Sequence, residues 1–156
     1  MLTQTADHAL RAILTIARNA GDRPMRVEEI AERTGAPRNY LGKTLNVLVK
    51  DGLLRSARGP LGGFALAMPA DAITVGRIAD LFSEARAPRR CLLGNGLCDA
   101  AHPCGAHRRW SATTAAARAP LDHTTIADLL SDATDGESPF AATEAAFDAG
   151  VAAGIL

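Results

Sequence analysis

Apolar side chains recur every three or four positions near the start of the chain, which is the spacing of an amphipathic helix. This stripe predicts a first helix over about residues 4–19, with Thr3 as its N-cap and Gly21 as its stop. Its expected buried face consists of Ala6, Leu10, Ile13, Leu14 and Ala17. The chain is therefore expected to open with a helix that packs one face against the rest of the protein.

Two further helices follow at the same spacing. A short one is predicted over 27–34 and ends at Gly35, and a longer one opens at Pro37 and closes at Gly52. Proline suits the first turn of a helix because its missing N–H would have no partner there. A short helix, a glycine turn and a longer helix together predict a helix-turn-helix motif.

The second helix of such a motif places its N-terminal residues against base edges in the major groove of DNA. Here those residues are Arg38, Asn39 and Tyr40, with Lys43 one turn later. Arginine can read guanine and asparagine can read adenine, whereas tyrosine or lysine can bind phosphate. We therefore predict that these four side chains contact DNA.

The next stretch predicts a β-hairpin. Strands over 53–58 and 64–67 flank a turn that contains Pro60 and three glycines. A hairpin directly after a helix-turn-helix is typical of a wing. Because glycines permit close backbone approach, Arg58 and Pro60 at its tip are predicted to enter a minor groove or contact phosphates.

The apolar pattern beyond residue 70 predicts three more helices. One begins at Thr74, a long one spans about 106–118 and is ended by Pro120, and a short one is capped by a threonine at 124 or 125. The long helix contains three consecutive alanines at 115–117, which are small enough for a dimer seam. Alanine is equally an ordinary surface residue with high helix propensity.

These elements predict a mainly α fold with a small β-hairpin wing: a winged helix-turn-helix plus a long dimerisation helix. Residues 1–70 would form the DNA-binding domain, and 71–132 the cysteine loop and dimerisation helices. Residues 133–156 would form a C-terminal tail whose function the sequence does not indicate.

Composition and charge agree with this organisation. The hydrophobic share of 47% suffices for a core, and no apolar run is long enough to cross a membrane. Residues 1–68 carry ten Lys and Arg against six Asp and Glu, whereas residues 69–156 carry seven against eleven. A basic first half suggests a polyanionic partner for that half alone. The first residues lack the features of a signal peptide, so a cytoplasmic protein is expected.

All three cysteines of the chain fall in one glycine-containing segment with the spacing C-x6-C-x5-C. They are Cys91, Cys98 and Cys104. An odd number of thiols cannot all pair within the chain, and thiolates on a flexible loop suit a soft metal or an iron–sulfur cluster with one further ligand. The fourth ligand could be His102, His107 or a distant residue. Structural zinc, thiol redox switching and inert cysteines remain alternatives, because three Cys and one His also form a zinc set.

Taken in order, these residues resemble the IscR/NsrR-type family of iron–sulfur winged-helix transcription regulators. The resemblance spans 1–132 and rests on Ala9–Ala12, Ile30–Gly35, Tyr40-Leu41, Arg58–Phe64, Ile73–Val75 and the three cysteines. It implies a homodimer that binds a near-palindromic operator in double-stranded DNA. It also implies that the cysteines hold a cluster whose state alters DNA affinity.

The resemblance implies two possible fourth ligands. Some members have a histidine three positions after the last cysteine, here His107, and others use an acidic residue near the start of helix one of the partner protomer, here Asp7. We favour Asp7, because helix one would place the cluster loop against the DNA-binding half of the other protomer. The cluster type stays open between [2Fe–2S] and [4Fe–4S].

Three classes of function follow from the sequence. The preferred one is a DNA-binding repressor whose cluster senses redox state, nitric oxide or iron–sulfur status. The alternative is a winged-helix regulator with a zinc site or a thiol switch and no cluster. A small electron-transfer protein or redox enzyme is disfavoured, since the chain lacks a cofactor-binding glycine turn, paired catalytic carboxylates and a C-x-x-C motif.

Overall fold

The computed structural model describes residues 2–19, 23–59, 62–83, 101 and 103–132, and every structural statement below concerns these residues. They form six α-helices, one 3₁₀ turn and a two-stranded sheet. In chain order these are α1 (Gln4–Arg18), α2 (Val27–Thr34), α3 (Arg38–Lys50), β1 (Leu54–Ala57), β2 (Gly63–Leu66), the 3₁₀ turn (Ala70–Ala72), α4 (Val75–Leu81), α5 (His107–His123) and α6 (Ile126–Asp132). The predicted fold class, mainly α with a hairpin wing, is confirmed.

α1 is the helix around which the core assembles. The Oγ1 atom of its N-cap Thr3 accepts a hydrogen bond from the Ala6 backbone N–H at 3.2 Å, as predicted. One broad face is buried and packs against α2, α3, α4, α6 and β2. All five residues that the sequence assigned to this face are buried: Ala6, Leu10, Ile13, Leu14 and Ala17.

α2 and α3 form the predicted helix-turn-helix. Gly35 ends α2 in the left-handed conformation (φ 67°), which a residue without a Cβ adopts at little cost. Pro37 is the N-cap of α3, and Gly52 (φ 78°) follows its end. The inner face of the motif buries Ile30, Leu41, Leu45 and Leu48 completely.

The wing is a short antiparallel hairpin in which Leu54 pairs with Leu66. Its second strand is also tied to the segment before α2, because Met25 and Phe64 exchange two backbone hydrogen bonds of 2.9 and 2.7 Å. Gly63 makes this approach possible, since a Cβ there would collide with the Met25 carbonyl group. The wing is therefore anchored at its base to the helix-turn-helix.

The loops that precede α4 and α6 pair with each other and close the fold. Val75 donates its N–H to the Thr124 carbonyl, and Ile126 donates to the Ile73 carbonyl, both at 2.9 Å. Ile73 and Ile126 are completely buried in the same core as α1. The cap predicted at Thr74 is confirmed, because its hydroxyl accepts from the Arg77 N–H at 3.2 Å.

α5 corrects one prediction. Pro120 was expected to end the long helix, but it lies inside α5, which continues to His123. Proline removes only its own N–H donor, and its carbonyl still accepts from the Thr124 N–H at 2.9 Å. An ion pair from Arg118 Nε to Asp122 Oδ1 at 2.8 Å spans the proline and stabilises the extra turn. The tail over 133–156 lies outside the described residues.

Candidate DNA interface and metal centre

The side chains predicted to read DNA lie on the exposed N-terminal half of α3. Arg38 is the first residue of the helix, Asn39 and Tyr40 follow, and Lys43 lies one turn later; all four are exposed. Arg58 is exposed just beyond the end of β1, whereas Pro60 lies outside the described residues. The motif thus presents one guanidinium, one amide, one phenol and one ammonium group on a single helix end.

Arg38 is paired with a residue that the sequence analysis missed. Its guanidinium forms an ion pair with the carboxylate of Glu28, the second residue of α2, and the two side chains are 64% and 42% exposed. The first turn of α3 contains no acidic residue of its own. The only signal in the sequence was an acid at the start of α2, the helix that precedes α3. We call α3 the reading helix, because its first residues are predicted to contact DNA.

The adjacent carboxylate has a different partner set. Glu29 accepts a hydrogen bond from the Arg26 backbone N–H at 3.0 Å and from Arg23 Nη1 at 3.2 Å. These contacts lower the pKa of Glu29 from its usual 4.5 to about 2, and the side-chain hydrogen bond from Arg23 has the largest effect. Glu29 therefore satisfies the start of α2, which leaves Glu28 directed at α3.

Tyr40 joins the reading helix to α1. Its hydroxyl shares a hydrogen bond with Oγ1 of Thr5, and its ring lies edge-on to the His8 ring with centroids 5.9 Å apart. The Nδ1 atom of His8 is buried and has no hydrogen-bond partner within the described ranges. The start of α3 therefore rests on the first turns of α1, which also carry Asp7.

The two predicted fourth ligands lie at different places in the fold. Asp7 is on the first turn of α1, 39% exposed, with its Oδ2 atom 2.9 Å from Arg11 Nε. His107 is the first residue of α5, is half-buried, and donates its backbone N–H to the Cys104 carbonyl at 2.9 Å. His107 is therefore close to Cys104 in the chain, whereas Asp7 lies on a different helix.

Cys104 is half-buried just before α5, and Cys91 and Cys98 lie outside the described residues. Arg108 and Arg109 are exposed in the first turn of α5, which has no acidic residue. Cations at a helix N-terminus add to the positive end of its dipole, so the start of α5 is electropositive. Within the residues that the structure describes, no three His, Cys, Asp or Glu side chains are grouped to hold a metal ion.

α4 connects the reading helix to α5 through two arginine contacts. On one side, Arg77 of α4 donates from Nε to Oδ2 of Asp51 at 3.0 Å and from Nη2 to the Asp51 carbonyl at 2.9 Å. Asp51 is the C-cap residue of α3. The C-terminal end of the reading helix is therefore fixed to α4.

On its other side α4 is held by Arg118 of α5. Arg118 donates two hydrogen bonds to Asp80, at 2.7 and 2.6 Å, and one to the Gly76 carbonyl at 3.1 Å. Hydrogen bonds to two carboxylates raise the pKa of the Arg118 guanidinium above its ordinary value; Asp80 has the larger effect and Asp122 the smaller. The helices approach so closely that a Cβ on Gly76 would collide with the Asp122 side chain.

The end of α4 also contacts the start of α1. The Thr3 hydroxyl, besides capping α1, donates a hydrogen bond to the Phe82 carbonyl at 3.0 Å. Phe82 is the C-cap of α4 and lies nine residues before Cys91. The C-terminal end of α4 is thus attached to the first turn of α1, which carries Asp7.

Known proteins share both sequence and fold with this chain. The Rrf2 family, described as an iron-dependent transcriptional regulator, matches residues 2–132. The HTH-type transcriptional regulator IscR of Yersinia pseudotuberculosis is 32% identical over 131 residues, which cover 84% of this chain and 79% of that protein.

Among solved structures, T. potens IscR matches with a TM-score of 0.71 and 26% identity, covering 88% of this chain and 91% of its own. CymR, the global cysteine regulator of B. subtilis, matches with a TM-score of 0.72 and 26% identity, covering 85% of this chain and 98% of its own. No helix in the described ranges has both the length and the apolar character needed to cross a membrane. The chain belongs to the Rrf2 family of transcriptional regulators.

Proposed function

We propose that this chain is a DNA-binding repressor whose operator affinity is set by an iron–sulfur cluster on its cysteine segment. The observation that carries the proposal is the pair of arginine contacts on α4. Arg77 attaches α4 to the end of the reading helix, and Arg118 attaches it to the helix that begins beside Cys104. One short helix therefore touches both the element that would read DNA and the element that would report on the cysteines.

The donor set fits an iron–sulfur cluster. Cys91, Cys98 and Cys104 supply three thiolates, and the family is described as iron-dependent. Arg108 and Arg109, in the first turn of the helix that follows Cys104, would place positive charge near a net-negative cluster. When bound, such a cluster supplies a centre whose charge and ligation respond to redox state, nitric oxide or iron–sulfur status.

Asp7 is the proposed fourth ligand, with His107 as the alternative. Asp7 lies on the first turn of α1 with its side chain 39% exposed, so its carboxylate would be available to the cysteine segment of the other protomer. It also precedes His8, whose ring contacts Tyr40 on the reading helix. A carboxylate ligand there would connect the cluster to the reading helix, whereas His107 would confine all ligands to the cysteine segment.

A homodimer on a near-palindromic operator completes the proposal. Two reading helices must lie about 34 Å apart, one turn of DNA, to bind adjacent major grooves. α5 has no buried residue in the described protomer, and its alanine run 115–117 is exposed. A second copy of the chain packed on α5 would bury that surface and fix the distance between the two reading helices.

The test is to purify the protein anaerobically and to assay iron, acid-labile sulfide and zinc on the sample used for an absorption spectrum. The proposal predicts iron and sulfide, visible bands, and quenched fluorescence of Trp110, the single tryptophan, which lies three residues after His107. Cys98→Ala should remove iron and sulfide together while leaving a folded dimer. Comparing Asp7→Ala with His107→Ala then identifies the fourth ligand from the altered bands.

Colourless protein with one zinc per chain would contradict the cluster and favour the zinc-bound alternative. The structural similarity to CymR, a cysteine regulator by name, supports a thiol-based regulator as the second alternative. In that case operator affinity would respond to thiol oxidants in protein that contains neither iron nor zinc. Both results would leave the DNA-binding half of the proposal intact.

A further inference from the structure

The ion pair between Glu28 and Arg38 joins the start of α2 to the start of the reading helix. The guanidinium therefore already has an anionic partner in the free protein. Glu28 is the second residue of α2 and Arg38 the first residue of α3, so the pair joins the first turns of two helices. Both side chains remain well exposed, so the pair faces the solvent from which DNA would arrive.

Stability does not account for this pair. Exposed ion pairs contribute little to folding, because solvent and salt screen them. The start of α2 is already satisfied by Glu29, which accepts from the Arg26 N–H and from Arg23. Nor does α3 favour a cation in its first turn, since the positive end of its dipole lies there. The dipole of α2 favours an acid at position 28, but it does not require that this carboxylate pair with Arg38 of another helix.

A free arginine at the start of a reading helix binds any phosphate within reach, and such contacts carry no sequence information. A carboxylate beside it repels phosphate and competes for the guanidinium. It leaves the remaining N–H groups of the guanidinium for a partner of defined geometry, such as the O6 and N7 atoms of guanine. The carboxylate therefore weakens binding to arbitrary DNA more than binding to the correct site.

We propose that Glu28 is a specificity-determining residue that restrains Arg38 from general phosphate binding and positions it for base reading. This inference rests on the proposed DNA binding by α3 but not on the cluster. Removing the charge of Glu28 should release Arg38 to the DNA backbone. The protein would then bind all sequences more tightly and distinguish them less well.

The experiment compares Glu28→Gln with Glu32→Gln, which removes the same charge from an exposed position one turn further along α2. The probes are a duplex that the wild-type protein selects from a random pool and a shuffled duplex of the same composition. Affinity for each is measured from 50 to 200 mM salt. Thermal unfolding of both variants should match the wild type.

Glu28→Gln should bind the shuffled duplex about threefold more tightly at low salt and steepen the salt dependence by about 0.9 in log Kd per log salt, the effect of one added phosphate contact. Affinity for the selected duplex should increase less. The ratio of the affinity for the selected duplex to that for the shuffled duplex therefore falls. Glu32→Gln should change the affinity for both duplexes slightly and by the same factor. Adding Arg38→Ala to Glu28→Gln should abolish the gain, and Glu28→Asp should restore part of the discrimination.

The inference is overturned if Glu28→Gln behaves like Glu32→Gln, or if it changes both duplexes by the same factor with an unchanged salt slope. Wild-type protein that selects no duplex would instead refute the proposed function itself. The two failures are therefore distinguishable.

Discussion

The two longest helices that the structure describes, α1 and α5, are built on opposite principles. α1 has fifteen residues and buries eight of them in the core, whereas α5 has seventeen and buries none. The two helices also belong to parts of the chain with different proposed functions. The half that would read DNA is organised by its own apolar packing, and the helix that follows the cysteines is held at one end by polar contacts. Within one chain α5 is therefore attached less firmly than α1, and the proposed dimer would bury its exposed surface.

A substitution at each helix exposes the contrast most strongly. Ile13 of α1 is completely buried, so Ile13→Ala should lower the free energy of unfolding by about 2–5 kcal/mol. Thr113 of α5 is exposed, so Thr113→Ala should change the free energy of unfolding by less than about 0.5 kcal/mol. Chemical denaturation of both variants measures the difference. Equal losses would mean that α5 is as firmly packed as α1.

The polar attachment of α5 can be removed separately. Arg118→Ala deletes the hydrogen bonds to Asp80, Asp122 and the Gly76 carbonyl and should cost about 1–3 kcal/mol. Hydrogen exchange should rise along α5 and stay unchanged in α1. Arg118→Lys should restore little, because a lysine cannot bind Asp80 with two nitrogens and reach Asp122 as well. Unchanged exchange in α5 would show that other contacts hold it.

The second arginine contact lies between α4 and the reading helix. Arg77 is 40% exposed, so Arg77→Ala should cost only about 1 kcal/mol of stability. Its larger expected effect is on regulation: cluster content should be unchanged, while the difference in operator affinity between cluster-loaded and cluster-free protein becomes smaller. If that difference persists, the signal does not pass through α4.

The smallest predicted effect is a pH dependence confined to the DNA-binding half. The pKa of Glu29 is lowered from 4.5 to about 2 in the folded chain, so its stabilising contribution is complete above pH 4.5. That contribution is lost as the pH falls toward 2. Unfolding of the wild type should therefore become easier over this range, and Glu29→Gln should flatten the dependence. An identical profile in the variant would exclude Glu29 as its source.

Local chemistry explains why much of the fold was predictable. Caps such as Thr3 and Thr74 depend on residues three positions away, and the buried face of α1 follows from periodicity alone. The early stop predicted at Pro120 was wrong because Asp122 lies only four residues from Arg118 and sustains another turn.

The candidate site was less predictable, because its contacts join residues far apart in sequence. Nothing in local sequence indicates that Glu28 reaches Arg38, that Tyr40 meets Thr5 and His8, or that Arg118 reaches Asp80. Each of these pairs depends on how two helices pack. The roles of Cys91, Cys98 and Pro60, which lie outside the described residues, stay predictions, as do the DNA contacts of α3.

The most direct test of a regulator controlled through its cysteine segment is the operator affinity of a single preparation before and after removal of its cluster. At fixed salt the account predicts that the two Kd values differ by about 5- to 150-fold, the usual range for coupling between distant sites. The difference should vanish in Cys98→Ala protein. Equal Kd values for the loaded and cluster-free wild type would contradict the account, because the cysteine segment would then have no control over DNA binding.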